Sequence, residues 1–301
     1  MKRNIPIAIL FLALSCSYSV QSAQAQVNWP DISQSVLVQH DLAPLSQVQM
    51  ADLSKSLQAY SQDLGITSWY LQVGDQVLET DTSPEPSPMG EFSQLLILLR
   101  ALDLIQKGDL TLEDSFSVSP DQIKYSGVLS KLPLNKAYQW TTLLQLMIQS
   151  KDLDAKNILW QALGGQSGIG ETLSDLSIDL GRMSEDRTAM GEGYQVTASQ
   201  VMEVYQALLQ LGQEDQNTKE FVYQILSQHG PLGLVATYDV SQGPVYGFAD
   251  LQANQDSYGD LVQFKTQSGK QVTLLILGKG SVPEDASLDQ IRLDLTQIME
   301  E

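Results

Sequence analysis

The stretch Pro88–Asp114, PMGEFSQLLILLRALDLIQKGDLTLED, carries the strongest structural signal in the chain. Between Glu91 and Lys107 apolar residues occupy positions nearly all round a 3.6-residue period, so the pattern predicts a helix buried on most of its faces. Gly108 follows the last helical residue, where glycine commonly ends a helix. We therefore expect the fold to be organised around this segment.

The composition indicates a folded domain with an acidic surface. The chain has 301 residues, of which 43% are hydrophobic and 18% charged, enough for a substantial core. Its formal net charge is −19, and would be −21 without residues 1–25, which hold two basic residues and no acidic one. This charge repels phosphate backbones, so no nucleic-acid partner is expected. One cysteine and two histidines give little basis for a disulfide or metal site, and we expect no cofactor.

The N-terminus has the layout of a secretory signal peptide. Residues 1–25 combine a basic start, the apolar stretch Ile5–Leu14 and the small-residue site Ala23-Gln24-Ala25. The apolar stretch is too short for a membrane anchor. Cys16 offers an alternative as a lipidated cysteine, but Ala13-Leu14-Ser15 before it is a poor fit to the leucine-led pattern. We expect cleavage after Ala25 and a secreted or periplasmic mature chain with no transmembrane anchor.

The order of the remaining patterns predicts an α/β fold of the α+β kind with two lobes. Residues 26–50 have no firm period and predict a linker or arm. The domain then begins at residue 51. Strands are predicted near both of its ends: Ile66–Val73, Gln76–Thr80, Val245–Leu251, Leu261–Thr266 and Val272–Leu277.

Helical patterns occupy the middle of the chain and flank the strands. They cover residues 50–63, 91–107, 141–149, 154–163, 170–176, 197–211, 218–228 and 287–301. The simplest arrangement is one antiparallel sheet made from residues about 51–90 and 230–301, with residues about 91–229 as a helical lobe.

Several ordered landmarks resemble the penicillin-recognising serine hydrolases, specifically the class A β-lactamase group. Residues 88–114 are similar to the family's nucleophile helix and its exit. Tyr125-Ser126-Gly127-Val128 is similar to its tyrosine loop, and residues 142–148 and 151–159 to the helix pair around its Ser-Asp-Asn loop. The closing strands and Gly278-Lys279-Gly280-Ser281 match its final strand and turn. The resemblance covers residues about 50–300 and implies the β-lactamase/transpeptidase-like fold.

The catalytic set that the resemblance implies is missing from these positions. The family needs a serine nucleophile and, one helical turn later, a lysine that helps to take its proton. Glu91 stands at the serine position and Gln94 at the lysine position. A carboxylate is a far weaker acyl nucleophile, and an amide does not act as a base.

The other two family motifs are altered as well. Lys151-Asp152-Leu153 replaces Ser-Asp-Asn and keeps only the central acid, and Tyr246-Gly247-Phe248-Ala249 replaces the strand that should carry a lysine. The loop at 181–194 holds Glu185 and Glu192 without the family's Glu-x-x-Leu-Asn pattern. A change of register does not restore the nucleophile pair, because no lysine after residue 25 has serine or threonine three residues before it.

Two unconventional catalytic arrangements remain open beside a structural explanation. In the first arrangement, Glu91 and Asp152 form a carboxylate pair for acid–base hydrolysis. The structural explanation is that Glu91 is an acid favoured at the start of a helix. Ser126 and Lys151 would form a nucleophile–base dyad, or Ser126 is a solvated loop serine. We favour the structural explanation in both cases.

The sequence therefore predicts a catalytically inactive, β-lactamase-like protein of the cell envelope. Its cleft or acidic surface would bind a partner, either a cell-wall fragment or an envelope protein. The alternative is a divergent hydrolase that acts on β-lactam or peptidoglycan-like substrates through Glu91, Asp152, Ser126 or Lys151. A third and weaker alternative is a structural domain presented by the arm.

Overall fold

A five-stranded antiparallel sheet brings together the two ends of the described chain. The computed structural model describes residues 43–81, 86–181, 189–227, 233–235, 238, 243–251 and 257–301. The sheet has the strand order β2-β1-β9-β8-β7. Its strands are β1 (Ile66–Val73), β2 (Gln76–Asp81), β7 (Tyr246–Asp250), β8 (Ser257–Lys265) and β9 (Gln271–Lys279). The pairing of β1 with β9 confirms the predicted sheet built from N- and C-terminal strands.

Most of the described residues between β2 and β7 are helical, as predicted. The helices are α1 (Gln47–Leu64), α2 (Ser93–Lys107), α3 (Trp140–Ser150), α4 (Leu153–Ala162), α5 (Gly165–Asp175), α6 (Ala198–Leu211), α7 (Gln216–Leu226) and α8 (Asp285–Glu300). Short 3-10 turns lie at Gly90–Phe92, Pro120–Gln122, Leu129–Lys131, Ala189–Gly191 and Gly233–Val235. No helix in the described ranges is both long and apolar enough to cross a bilayer.

Two helices begin three or more residues earlier than the sequence patterns predict. Helix α1 starts at Gln47 because Ser46 and Gln49 form a reciprocal capping box, so the predicted arm does not extend to residue 50. The signal segment, Cys16 and the arm up to residue 42 lie outside the described residues. Helix α5 starts at Gly165 rather than residue 170, where its glycines hide the helical pattern.

The sheet separates two apolar cores. Alternate residues of each strand point to opposite faces. Trp69 and Leu71 of β1 therefore contribute to the core that contains α1 and α8, whereas Tyr70 contributes to the core that contains α2. Helix α2 carries fully buried leucines at Leu95 and Leu98, which confirms the predicted burial of this segment. The core of the helical lobe thus fixes the start of α2 against the edge of the sheet.

Two small strand pairs were not predicted, and the first of them lies beside the start of α2. Strand β3 (Ser87–Pro88) pairs with β6 (Gln195–Val196), while β4 (Ser115–Val118) pairs with β5 (Lys136–Gln139). The first pair brings the segment that precedes α6 next to the chain entering α2. This contact places the turn at 189–191 and Glu192 close to Glu91.

Candidate functional site

The 3-10 turn Gly90–Phe92 presents Glu91 at the boundary between the sheet and the helical lobe. Gly90 has φ 52, a left-handed conformation that glycine adopts without steric cost, and it turns the chain from β3 into α2. Phe92 is buried and packs edge to face on Phe248 of β7, with ring centroids 5.1 Å apart. These two residues hold Glu91 in a position where the residue is only 7% exposed.

Gln94 faces Glu91 from one helical turn further along α2. Its Nε2 donates a hydrogen bond to Glu91 Oε2, as the i, i+3 spacing in a helix allows. Gln94 is completely buried, and its Oε1 has no hydrogen-bond partner in the part of the chain that is described. The sequence-predicted pair is therefore brought together, but as an acid and an amide that bind each other.

Lys156 of α4 supplies a cation that the sequence analysis did not include in the site. Its side chain has no exposed surface, and its Nζ lies 3.7 Å from Glu91 Oε2 and 2.5 Å from Glu192 Oε1. A lysine this deeply buried needs such partners, because an uncompensated buried charge is very costly. The ammonium of Lys156 thus joins α4, the turn before α2 and the 189–192 segment.

Asp250 binds the backbone at the same point. It lies at the end of β7, and its Oδ2 accepts a hydrogen bond of 3.0 Å from the backbone N–H of Glu91. Its Oδ1 is buried and has no partner among the described residues. Burial raises the pKa of Asp250 to about 6, with the nearby charge of Glu91 acting in the same direction and the hydrogen bond from Glu91 opposing it.

Lys151 is the second cation of the cluster and comes from the junction between α3 and α4. It ends α3 in a left-handed conformation with φ 51, and its Nζ lies 3.2 Å from the centroid of the Phe248 ring. Burial lowers the pKa of this amine to about 7, although the carboxylates of Glu91 and Asp250 oppose the shift. The amine of Lys151 thus lies against the strand where the resemblance implies a lysine, although Lys151 itself belongs to the end of α3.

Asp152 and Asp154 hold the loop that contains Ser126. Asp152 caps α4 by accepting from Ala155 N–H at 2.9 Å, and its other oxygen accepts from Leu129 N–H at 2.8 Å. Asp154 accepts hydrogen bonds from the backbone of residues 124 and 125. Both oxygens of Asp152 therefore bind backbone N–H groups. Among the described residues, no hydrogen bond joins Asp152 to Glu91.

Ser126 is exposed on this loop and makes no side-chain hydrogen bond within the described residues. No hydrogen bond joins it to Lys151, whose Nζ is placed against Phe248. The next residue, Gly127, packs against the Asp152 carboxylate so closely that a Cβ atom there would overlap it. The geometry of this loop is thus fixed by backbone contacts, and it does not assemble a serine–lysine dyad.

The site that results is a cluster of acids, amines and one amide around Glu91. It consists of Glu91, Gln94, Lys151, Lys156, Glu192 and Asp250, and is called the Glu91 cluster below. The described residues contain no group of three His, Cys, Asp or Glu side chains that would hold a metal ion. The chemistry available to the cluster is charge pairing, proton transfer and reaction at an amine.

The sequence contained one usable signal for Lys156. The residues around it in α4, Ala155, Ile158 and Leu159, are buried, and a lysine three residues before Leu159 lies on the same helical face as that leucine. Asp250 had no comparable signal, because its partner is a backbone N–H distant in sequence. Glu185, named with Glu192 from the same loop, lies outside the described residues.

Comparisons with known proteins agree on the fold. The model of the β-lactamase enzyme family matches residues 49–243. A β-lactamase structure from Xanthomonas campestris pv. campestris is 14% identical with a TM-score of 0.69, over 83% of this chain and 98% of that chain. The structure of PBP-A is 16% identical with a TM-score of 0.65, over 85% of this chain and 95% of that one.

An ancestral class A β-lactamase gives a TM-score of 0.67 at 14% identity, over 82% of this chain and 98% of that chain. The TM-scores establish the β-lactamase/transpeptidase-like fold, and the low identities leave the activity open. A comparison with curated proteins finds no match. The family match extends over more than half of the chain, from α1 to the start of the C-terminal strands, and shows that the chain belongs to the β-lactamase enzyme family.

Proposed function

We propose that this chain is a catalytically inactive member of its family, exported from the cytoplasm, that acts as a binding module of the cell envelope. The observation that supports the proposal best is that the carboxylate and the backbone N–H of Glu91 are both bound by neighbouring residues. Its carboxylate is bound by Gln94 and paired with Lys156, and its backbone N–H donates to Asp250. The groups at the start of α2 are thus engaged with one another.

The chemistry of these residues argues against an acyl-enzyme mechanism. A carboxylate paired with an ammonium and an amide is a poor nucleophile, and Gln94 offers no basic nitrogen to take a proton. No serine or threonine after residue 25 precedes a lysine by three residues. Acyl transfer therefore lacks both its nucleophile and its base.

Stabilisation of a tetrahedral intermediate is opposed as well. A backbone N–H at a helix start is a suitable donor to a developing oxyanion. The N–H of Glu91 points to the Asp250 carboxylate, which occupies the donor and places a negative charge where an oxyanion would form. This arrangement favours binding over bond cleavage.

The alternative is a hydrolase that uses non-standard residues. Asp250 supports it best, because its pKa of about 6 lies near that of a general acid or base working at neutral pH. The pairing of Asp152 with two backbone N–H groups weakens the part of this hypothesis that involves Glu91 and Asp152. The two functions are distinguished by whether substrate is consumed.

The first experiment exposes the purified mature chain to a chromogenic cephalosporin and a fluorescent penicillin, with an active class A β-lactamase as positive control. We expect no turnover and no ester adduct by peptide mapping. Sustained turnover, or a penicilloyl ester on Ser126 or any other hydroxyl group, would refute the inactivity. A variant with Glu91→Ser and Gln94→Lys tests the same reasoning, because restoring nucleophile and base should produce at least partial acylation.

The second experiment tests the binding role directly. Mature protein is incubated with purified cell-wall sacculi, pelleted and quantified, beside a Lys151→Glu variant and a Lys55→Glu variant of the same charge change. Lys55 is exposed on α1, across the sheet from the Glu91 cluster. We expect retention that falls several-fold for Lys151→Glu and is unchanged for Lys55→Glu. An absence of retention, or equal loss in both variants, would contradict a cell-wall ligand in this cleft.

A further inference from the structure

The loop at residues 119–136, between β4 and β5, is held to the helical lobe by two buried carboxylates. Asp154 accepts hydrogen bonds from two backbone N–H groups of the loop, and Asp152 accepts one from a third. The strands at its base close the loop, because Val118 of β4 pairs with Lys136 of β5. The loop backbone is therefore fixed before any partner binds, and a surface fixed in advance loses little conformational entropy on binding.

Two apolar side chains of this fixed loop are exposed to solvent. Tyr125 is 48% exposed and Val128 is 41% exposed, on either side of Gly127, whose backbone packs against the Asp152 carboxylate. They are two of the five large apolar residues that are exposed in the described ranges. A tyrosine ring offers a large contact area with few rotatable bonds, so tyrosine is a frequent anchor in binding interfaces.

The charge of the loop is opposite in sign to that of the whole chain. Residues 119–136 contain three lysines and one acidic residue, whereas the chain contains 17 basic and 36 acidic residues. Lys124, Lys131 and Lys136 are exposed, and their amines form no ion pair or hydrogen bond within the described residues. By contrast, Lys156 of α4 is paired with two carboxylates. The loop thus presents a local positive charge on an acidic molecule.

We propose that this surface binds an extended acidic peptide segment of a partner protein. It is called the loop patch below and consists of Lys124, Tyr125, Val128, Lys131 and Lys136. Its ammonium groups pair with carboxylates of the segment, while Tyr125 and Val128 contact an apolar side chain between them. The inference goes beyond the proposed function, because it concerns exposed residues of the loop and does not depend on a ligand at the Glu91 cluster.

The acidity of the remaining chain favours a narrow partner over a flat one. Attraction between exposed charges extends about 8 Å at physiological ionic strength. A peptide that lies along the loop patch keeps its carboxylates within this range of the lysines, whereas an anionic membrane also faces the acidic remainder of the molecule. An anionic glycan supplies carboxylates as well, but it has no apolar side chain to cover Val128.

The test measures the binding of fluorescein-labelled peptides to the intact mature protein by fluorescence anisotropy, in low and in physiological salt. The probe is the octapeptide DDEFLEDD, and the matched peptide DDEGSEDD has the same charge without the apolar pair. We expect saturable binding of DDEFLEDD that weakens several-fold in physiological salt, and binding of DDEGSEDD that is several-fold weaker. No saturable binding of DDEFLEDD, or equal affinities for the two peptides, would overturn the proposal.

Variants of exposed residues locate the binding surface. Lys124→Glu and Tyr125→Ala should each weaken the binding of DDEFLEDD several-fold. The matched controls are Lys55→Glu, at an exposed lysine of α1, and Leu293→Ala, at an exposed apolar residue of α8. Both controls should bind as the unmodified protein does, and all four variants are checked for folding by circular dichroism. Equal losses in the loop and control variants would contradict a site at the loop patch.

Two competitors distinguish the partner class. Vesicles of phosphatidylglycerol and the anionic glycan polygalacturonate are added to the complex with DDEFLEDD at equal concentrations of negative charge. We expect neither to displace the peptide, and displacement by either would refute an acidic peptide as the specific partner. Turnover of the cephalosporin in the assay above would refute the inactivity of the chain and leave these affinities unchanged, so the two failures are distinguishable.

Discussion

Replacing Lys156 by Met tests whether the Glu91 cluster is held together by buried charge pairing. The Met side chain is apolar and similar in length, so the substitution removes the ammonium with little change in volume. Glu91 is only 7% exposed and would then lose its ion pair with Lys156, while its bond from Gln94 remains. Glu192, whose side chain is 31% exposed, is able to turn its carboxylate to water.

The expected cost is that of one uncompensated buried carboxylate. Removing one partner of a buried ion pair destabilises proteins by about 3–5 kcal/mol. The Glu91→Gln variant should cost only about 1–2 kcal/mol, because Lys156 keeps its 2.5 Å contact with Glu192. The double variant removes both charges, and we expect it to cost no more than about 2 kcal/mol, well below the sum of the single changes.

The assay is urea unfolding of the mature protein and the three variants, followed by tryptophan fluorescence and far-UV circular dichroism. With an m-value of about 3 kcal/mol/M, Lys156→Met should lower the midpoint by about 1 M or more. Glu192→Gln serves as the control for the second ion pair and should cost about 1 kcal/mol or less. Additive costs in the double variant, or a loss of less than about 1 kcal/mol for Lys156→Met, would refute the reasoning.

Three other substitutions test single features of the fold. Burial raises the pKa of Asp260 to about 7 in the folded state, so the stability that this group contributes is complete below about pH 4 and is lost as the pH rises through 7. Asp260→Asn should keep the hydrogen bond from Leu234 N–H and stabilise the protein by roughly 2–4 kcal/mol at pH 8 but not at pH 4. An effect that does not depend on pH would contradict this. Lys151→Gly should relieve the left-handed backbone strain at φ 51, so its thermal midpoint should exceed that of Lys151→Ala by the equivalent of about 1 kcal/mol. Equal midpoints would show that this backbone conformation does not reduce stability. Asp152→Ala removes the α4 cap and the acceptor for Leu129 N–H, so it should cost about 2–3 kcal/mol of stability and increase hydrogen exchange at Leu129. An unchanged exchange rate would show that Asp152 does not anchor the Leu129 backbone.

The fold could be predicted in outline because its main elements have strong local patterns. The apolar residues of α2 and the glycine after Lys107 predicted a buried helix and its end, and the structure confirms both. The helix predicted over 197–211 is α6, and it starts after Thr197 because Thr197 and Gln200 form a reciprocal capping box, which is also a local signal. Helix starts were missed where the signal was polar, as with Ser46 before α1, or hidden by glycine, as in α5.

The candidate site could be predicted only where its partners are near in sequence. Glu91 and Gln94 are one helical turn apart, so their contact follows from the helix period. The roles of Lys156 and Asp250 could not be deduced in this way, because they come from α4 and β7 and meet Glu91 only after the lobes have packed on the sheet. The sequence alone left Asp152 as a candidate acid, and its two backbone bonds became visible only in the structure.

The sequence by itself determined which chemical groups are available: an acid and an amide at the start of α2, and no serine or threonine three residues before a lysine after residue 25. It also determined the order of helices and strands, because period and capping are properties of neighbouring residues. Only the tertiary structure decided what those groups face. Burial and long-range pairing set the charge of Lys151 and Asp250 and the partners of Glu91, and these depend on distances between segments that are far apart along the chain.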